Sequence, residues 1–331
     1  MSLSRAAVHG KCSPALRLVE TKGMPREDWL EVRKSGIGGS DAAAAVGLNP
    51  YMSALELWLI KTGRDANLAR PDPEDTTEPV YWGTLLEPIV AASYTKQTGN
   101  RVRRVNAVLQ HPTLPFMLAN IDREVVATPD VQILECKTAG EFGARLWRDG
   151  VPEYVQIQVQ HQLAVTGKQG ADVAVLVCGQ KLEVHRIERD DELIARLIPL
   201  EAAFWRHVET DTPPPADGSE SADRALRCLY PGSGGTVDFT DDRHLSSVFA
   251  DLLVVRADIE RRQAAEAKLK QAIQHAMGEA DRAIFETGSV SFRRSRDGCG
   301  VDLKRLLADH PEFTVQYGVT KPGSRRFLVS A

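Results

Sequence analysis

Residues 133–138 read ILECKT. Ile133 and Leu134 belong in a buried strand, yet Glu135, Cys136 and Lys137 follow without a break, and Glu and Lys are among the side chains least often buried unpaired. Successive side chains of a strand point to opposite faces, so Glu135 and Lys137 share one face and Cys136 takes the other. A carboxylate and an ammonium held side by side form either an edge ion pair of small energetic weight or half of a reactive site.

The neighbouring sequence supplies a sheet for this strand. RVRRVNAVLQH (101–111), FMLANIDREVVA (116–127) and VQILECKTA (131–139) are three strand candidates, the last two joined by the turn Thr128–Asp130. Helices are expected over 25–35, over 53–63 and over 79–99. The second has Ser53 as N-cap, Glu56 three residues on and Gly63 at its end; Gly99 stops the third. Downstream come helices at 140–149 and 152–167, strands at 171–179 and 181–190 around Gly179–Gln180, and a helix from 191 to 208. Strands mixed with crossover helices imply an α/β domain with a central mixed sheet flanked by helices.

The chain of 331 residues has material for one large domain or two ordinary ones. Its 43% hydrophobic and 26% charged residues are those of a soluble globular protein. No apolar run is long enough to span a bilayer and the N-terminus lacks a signal h-region, so the expectation is a cytoplasmic protein without membrane contact. The five cysteines, Cys12, Cys136, Cys178, Cys228 and Cys299, have no C-x-x-C spacing. That argues against a disulfide framework, a zinc ribbon or a four-cysteine cluster. A net charge of −4 gives no global nucleic-acid signal, although RVRR (101–104), FRRSR (292–296) and SRRF (324–327) are local basic clusters.

One composition break, ETDTPPPADGSESAD at 209–223, reads as a linker. It delimits an N-terminal extension (1–24), a main domain (25–208) and a C-terminal region (224–331). In the last, residues 244–277 form one long helix with Leu245, Phe249, Leu252, Val255, Ile259, Leu269, Ile273 and Met277 on a rough heptad stripe, interrupted by RRQAAEAK. It is either a partner-binding arm or a helix packed on its own domain. The tail gives two or three strands and a short helix, a small α+β appendage.

Asp122 lies in LANIDREV, 13 residues before Glu135. If the two strands pair as a hairpin, Asp122 and Glu135 meet at one end of the sheet with Lys137 further along the same face. Two carboxylates and an amine suit a hard divalent ion such as Mg²⁺, and the Cys136 carbonyl could add a neutral ligand. Such an ion would acidify a bound water and neutralise charge on a phosphate, while Lys137 holds or helps deprotonate that water. D…E-x-K by itself is a weak pattern, and on those residues alone the ion pair is the better reading.

The ordered motifs RKSGIGGSDA (33–42), WGTLLEP (82–88), FMLANIDREV, LECKT and VQIQVQHQLAVTG (155–167) change the balance. With them the chain resembles, over roughly residues 25–208, the YqaJ-type viral recombinase family of the PD-(D/E)XK nuclease superfamily, related to phage lambda exonuclease. The proline of the superfamily name is absent, Ile121 preceding Asp122. The resemblance implies a restriction-endonuclease-like core in which Asp122 and Glu135 bind the metal and Lys137 is the catalytic lysine. It further implies that Glu87 is an additional carboxylate at the metal or its water, that Gln158 steadies the site, and that Arg33 and Ser40 recognise a 5′-terminal phosphate. Gly36, Gly38 and Gly39 before the short helix SDAAAAVG fit an anion-binding turn, with Ser40 or Asp41 as the alternative helix cap and Asp41 turned away from the anion.

Gln158 and Gln162 share a helix face and Gln160 does not. His161 is more simply structural than a ligand, and Trp29, Trp58, Trp82, Trp147 and Trp205 are more simply core than base-stacking platforms. The implied activity is a Mg²⁺-dependent deoxyribonuclease, with Mn²⁺ as a substitute, degrading the 5′-ended strand of linear duplex DNA. Double-stranded DNA ends, a single-strand annealing protein and a homo-oligomer, a ring trimer by resemblance, are the implied partners. An endonuclease on the same fold and an inactive DNA-binding or assembly protein are the competing readings.

Overall fold

The computed structural model describes residues 15–68, 71–232, 234–320, 323 and 325–330; Cys12 and Ser324 lie outside them. It divides into two compact units, Met1–Pro231 and Gly232–Ala331.

The first unit runs β1 (Leu16–Glu20), α1 (Arg26–Lys34), α2 (Gly39–Ala45), α3 (Ala54–Lys61), α4 (Pro79–Thr98), β2 (Arg101–Arg104), β3 (Ala107–Gln110), β4 (Leu118–Ala119), β5 (Arg123–Val126) and β6 (Ile133–Ala139). A 3₁₀ turn (Gly143–Trp147), α5 (Glu153–Thr166), β7 (Gly170–Val177), β8 (Lys181–Glu188), α6 (Asp191–Glu209) and α7 (Glu220–Leu229) complete it. The expected α/β architecture forms: a five-stranded sheet in the order β2-β5-β6-β7-β8, antiparallel except for the parallel pair β6–β7 that α5 connects.

The alternation in ILECKT sorts the core. Ile133 and Ala139 of β6 pack with Val173 and Val175 of β7 and Val155, Val159 and Leu163 of α5. On the other face Leu134 and Cys136 join Val90, Ala91 and Tyr94 of α4 and Ala174 of β7. Both faces of the central strands are therefore covered, and Glu135 and Lys137 are delivered to the α5 side.

Two expected long strands are each broken in two. Residues 101–111 split into β2 and β3, and residues 116–127 into β4 and β5, because each chain segment passes from one sheet to another. β3 and β4 form a separate three-stranded sheet with β1, so part of the supposed N-terminal extension is strand. Asp122 sits at the second break, directly before β5. The expected helix over 140–149 is only the 3₁₀ turn.

Gly36 lies where the chain meets β4: a Cβ there would come within 2.6 Å of the Phe116 carbonyl oxygen. This close approach lets the Ile37 N–H reach Phe116 O at 2.6 Å and the Leu118 N–H reach Ile37 O at 2.8 Å, tying the turn before α2 to the small sheet.

The expected linker at 209–223 does not separate the units. Its last residues start α7, where Ser221 Oγ accepts from the Ser53 N–H at 2.7 Å and Ala225 joins the apolar cluster of α2, α3 and α6. The division falls between Pro231 and Gly232 instead, because burial of α7 ties residues up to 229 to the main core.

The second unit has α8 (Arg243–Met277), a hairpin of β9 (Arg282–Phe285) and β10 (Gly288–Ser291), α9 (Leu303–Asp309) and α10 (Glu312–Tyr317). None of its described residues is buried. Among the described residues no helix is long and apolar enough to cross a membrane.

Candidate active site

The β5–β6 register pairs Arg123 with Leu134 and Glu124 with Ile133. One step further Asp122 stands opposite Glu135, and its Oδ2 accepts the Cys136 N–H at 2.8 Å. Glu135 is 3% exposed. Its Oε1 accepts from Lys137 Nζ at 2.7 Å and from Gln158 Nε2 at 2.6 Å, and its Oε2 from Gln162 Nε2 at 2.8 Å. Lys137 Nζ also donates to Gln158 Oε1 at 2.9 Å. The strand thus presents an ion pair, and α5 clamps both members with glutamine amides.

α5 carries two such amides. Gln158 and Gln162, one turn apart, both reach Glu135, so the sequence reading that chose Gln158 identified half of the clamp. Gln160 points away, its Nε2 donating to Glu188 O and its Oε1 accepting the Asp190 N–H. His161 is structural, as expected: it is fully buried between Glu201 Oε1 and Leu118 O, each at 2.8 Å.

Arg33 and Ser40 are brought together, Arg33 Nη2 donating to Ser40 Oγ at 2.7 Å. The guanidinium stacks over Trp29 at 4.9 Å and also donates to Asp41 Oδ1 at 2.8 Å. Buried Lys61 donates to Asp41 Oδ2 at 2.7 Å and to Arg33 O at 2.8 Å, a support that the helical pattern of α3 did not reveal. Burial alone would raise the pKa of Asp41, but Arg33, Lys61 and the Gly38 N–H hold it well below the usual carboxylate range. Two cations against one carboxylate leave a positive excess there. Neither Ser40 nor Asp41 is the N-cap of α2: Gly38 is, and Asp41, at the third helical position, reaches back so that its Oδ2 takes the Gly38 N–H at 3.0 Å, which engages that N–H within the chain.

These groups share one cleft of about 370 Å³, lined by Arg33, Gly39, Ser40, Glu87, Asp122, Glu135, Cys136, Lys137 and Gln158 among others. Asp41 is absent from that lining, in keeping with its expected orientation. Glu87 lines the cleft but departs from the expected ligand set: its Oε1 pairs with buried Arg123, with Arg104 at 3.7 Å. Arg123 also donates to Asp122 O at 2.6 Å. Arg123 was missed because a cation next to the key aspartate gives no periodic signal. Trp82, read as core, is 47% exposed on α4, whereas Trp58 and Trp147 are buried.

Burial, then the neighbouring Glu135, pushes the Asp122 carboxyl up to about 8, with the Cys136 N–H and Lys137 opposing. Burial works against the Lys137 ammonium, but Glu135 and Asp122 outweigh it and keep its pKa above the ordinary lysine value. Burial and the same carboxylates raise the Cys136 thiol, which is therefore inert.

Among the described residues no three His, Cys, Asp or Glu side chains converge as a ligand set. What remains is two carboxylates, Asp122 and Glu135, brought together at the strand ends. This all-oxygen set fits a hard divalent ion that takes one or two carboxylates and fills its shell with water. A cation would also relieve the repulsion that raises Asp122. Mg²⁺ binding at pH 7 is accordingly expected to release a proton, with affinity rising about tenfold per pH unit up to about pH 8. Calorimetric titration in two buffers of different ionisation enthalpy measures it, and binding without proton release at pH 7 contradicts the coupling.

Set beside known proteins, residues 28–169 match the model of the YqaJ-like viral recombinase domain. Over 301 residues the chain is 37% identical to the Bacillus subtilis (strain 168) protein named "Uncharacterized protein YqaJ", covering 89% of this chain and 91% of that one. Similar solved structures include an alkaline exonuclease from Laribacter hongkongensis (25% identity, 56% of this chain and 93% of that one, TM-score 0.45). A phage-related exonuclease from Haemophilus somnus 129PT matches at 12% identity over 53% of this chain and 94% of that one, with a TM-score of 0.41.

Proposed function

Because the chain belongs to the YqaJ family of viral recombinases, we propose that it is a divalent-metal-dependent deoxyribonuclease that removes nucleotides from the 5′-ended strand of linear duplex DNA. The observation that carries this reading is the shared cleft: the Asp122–Glu135–Lys137 group and the Arg33–Ser40 pair line the same cavity. One group has the chemistry for phosphodiester hydrolysis and the other for holding a terminal phosphate.

A divalent ion held by Asp122, Glu135 and the Cys136 carbonyl would supply charge neutralisation and a more acidic water. The chain's own residues do the rest. Lys137, kept protonated by Glu135 and Asp122, acts as a donor to an attacking water or a phosphate oxygen rather than as a base. Gln158 fixes the rotamers of Lys137 and Glu135 through hydrogen bonds to both. Arg33, oriented by the Trp29 face and Asp41, offers its remaining N–H groups to the oxygens of a 5′-phosphate. Glu87 positions Arg123 at the Asp122 backbone. In this reading the substrate is a duplex end, and the 3′ strand left single is the product passed to an annealing protein.

The test is digestion of a linear duplex end-labelled on one strand, with a 5′-phosphate or a 5′-hydroxyl, in Mg²⁺ or EDTA, beside a closed circular duplex. Label should be released as mononucleotide only with metal, the circle should stay intact, and the 5′-phosphate end should be degraded at least about tenfold faster, as loss of a charge-assisted contact implies. Equal rates on the two ends would remove the Arg33–Ser40 role. A cut circle would make the enzyme an endonuclease.

A further inference from the structure

RVRR and FRRSR, two basic motifs of the sequence, end in different surroundings. In RVRR, Arg103 pairs with Glu124 at 2.6 Å and Arg104 lies 3.7 Å from Glu87, so two of its cations are engaged within the chain. In FRRSR only Arg294 finds a carboxylate, Asp297 at 2.9 Å. Among the described residues Arg293 and Arg296 have no such partner, and the whole motif is exposed. The motif lies in a basic stretch: residues 282–331 hold nine Lys and Arg against five Asp and Glu, an excess of +4 in a chain whose net charge is −4.

The β9–β10 ribbon gives these cations a surface. Ala283 pairs with Val290, and both are half-buried, which makes theirs the inner face. Ala283 and Phe285 line a groove with Ala272, Ile273 and Ala276 of α8, so the inner face packs on that helix. Residues directly opposite in an antiparallel pair share a face, so Arg282 with Ser291 and Ile284 with Ser289 form the outer one. Arg282 Nη2 donates to Ser289 Oγ at 3.2 Å across it, and Ile284 is 78% exposed. No carboxylate stands among these four. Asp281 alternates to the inner face and Glu286 lies in the turn, while the backbone pairing extends to Phe292, whose N–H donates to Asp281 O at 2.9 Å and leads the chain directly into Arg293.

We propose that the outer face of this ribbon, continued by Arg293 and Arg296, is a second DNA-binding surface that holds the phosphate backbone of duplex DNA without reading its sequence. The inference rests on the reading of duplex DNA as the substrate and adds a hold that is independent of the Arg33–Ser40 pair. Guanidinium and hydroxyl donors are the groups that bind phosphate oxygens, and cations left unpaired within the chain can displace condensed counterions when they do so. The occupant is the duplex rather than a single strand. Single-strand sites use aromatic faces on which bases stack, and here the outer face has none, Phe285 being turned to the α8 side.

The experiment measures binding of the full chain to a duplex closed by hairpins at both ends, which offers no 5′ terminus, by fluorescence anisotropy in Ca²⁺ over a range of NaCl. The triple variant Arg282→Ala, Arg293→Ala, Arg296→Ala is compared with the wild type and with Arg256→Ala, Arg261→Ala, Lys268→Ala, which removes the same charge from exposed positions of α8. Circular dichroism checks that all three fold alike. The wild type should bind with a Kd that weakens steeply with salt. The ribbon variant should lose about 2–3 from the slope of log Kd against log salt, about 0.9 per phosphate contact, and bind at least about tenfold more weakly at about 0.15 M NaCl. The α8 variant should keep the wild-type slope. A ribbon variant with the wild-type slope, an α8 variant that loses as much, or a wild type that does not bind the closed duplex would each overturn the proposal. No DNA end and no cleavage enter this measurement, so its outcome is separate from that of the exonuclease reading, which the digestion of labelled linear duplex decides.

Discussion

Lys137→Ala is expected to slow duplex cleavage by about 10²–10⁴-fold, the range that a positioned proton-handling or charge-stabilising side chain contributes. Duplex binding should survive. The ammonium touches Glu135 Oε1 and Gln158 Oε1, so its removal leaves the carboxylate pair less compensated. Asp122 is then driven further toward its protonated form, and the pH at which a cation binds should move upward rather than binding being lost. Single-turnover cleavage in Mg²⁺ and duplex binding by fluorescence anisotropy in Ca²⁺ separate the two effects. Wild-type turnover would exclude Lys137 from the reaction. Loss of binding together with cleavage would make it a support of the cleft wall.

The second large effect is on stability. His161 and Glu201 are both fully buried, and both imidazole nitrogens face acceptors, Glu201 Oε1 and Leu118 O. That geometry suits the protonated ring. Burial pulls its pKa down, but Glu201 outweighs it and the net shift is upward. A histidine with a raised folded-state pKa contributes stability fully below its unfolded value of about 6.5 and loses it as pH rises through the folded value. Glu201→Ala strands a buried cation and is expected to cost about 3–5 kcal/mol at pH 6. The loss should shrink at higher pH, as the ring gives up its proton. Urea unfolding at pH 6 and above pH 8 measures this. A loss below about 1 kcal/mol at pH 6 would show that the pair is not charged.

The faces of the strands were legible in the sequence because side-chain direction in a strand is local. ILECKT could place Glu135 and Lys137 together and Cys136 apart without knowledge of any other element, and the amide spacing on α5 likewise put Gln158 and Gln162 on one face. The turn at 128–130 foretold that Asp122 would approach Glu135, subject to a register that a one-residue slip would have destroyed. Only the tertiary structure decided that register, and the transfer of the chain between two sheets at Asn120–Asp122 with it.

The remaining contacts join residues far apart in the chain: Lys61 with Asp41, Arg123 with Glu87, His161 with Glu201. No periodicity encodes such pairs, since each depends on how whole helices and strands pack. They decide that Arg33 is held in place by Asp41 and that Glu87 is engaged by Arg123, while the Ser53–Ser221 contact and buried Ala225 extend the main domain through α7. The sequence by itself determined the chemistry the site has available, because residue type and alternation are properties of the chain alone. Which of those groups meet, and in what state of charge, was decided by packing, because proximity and desolvation exist only once the chain is folded.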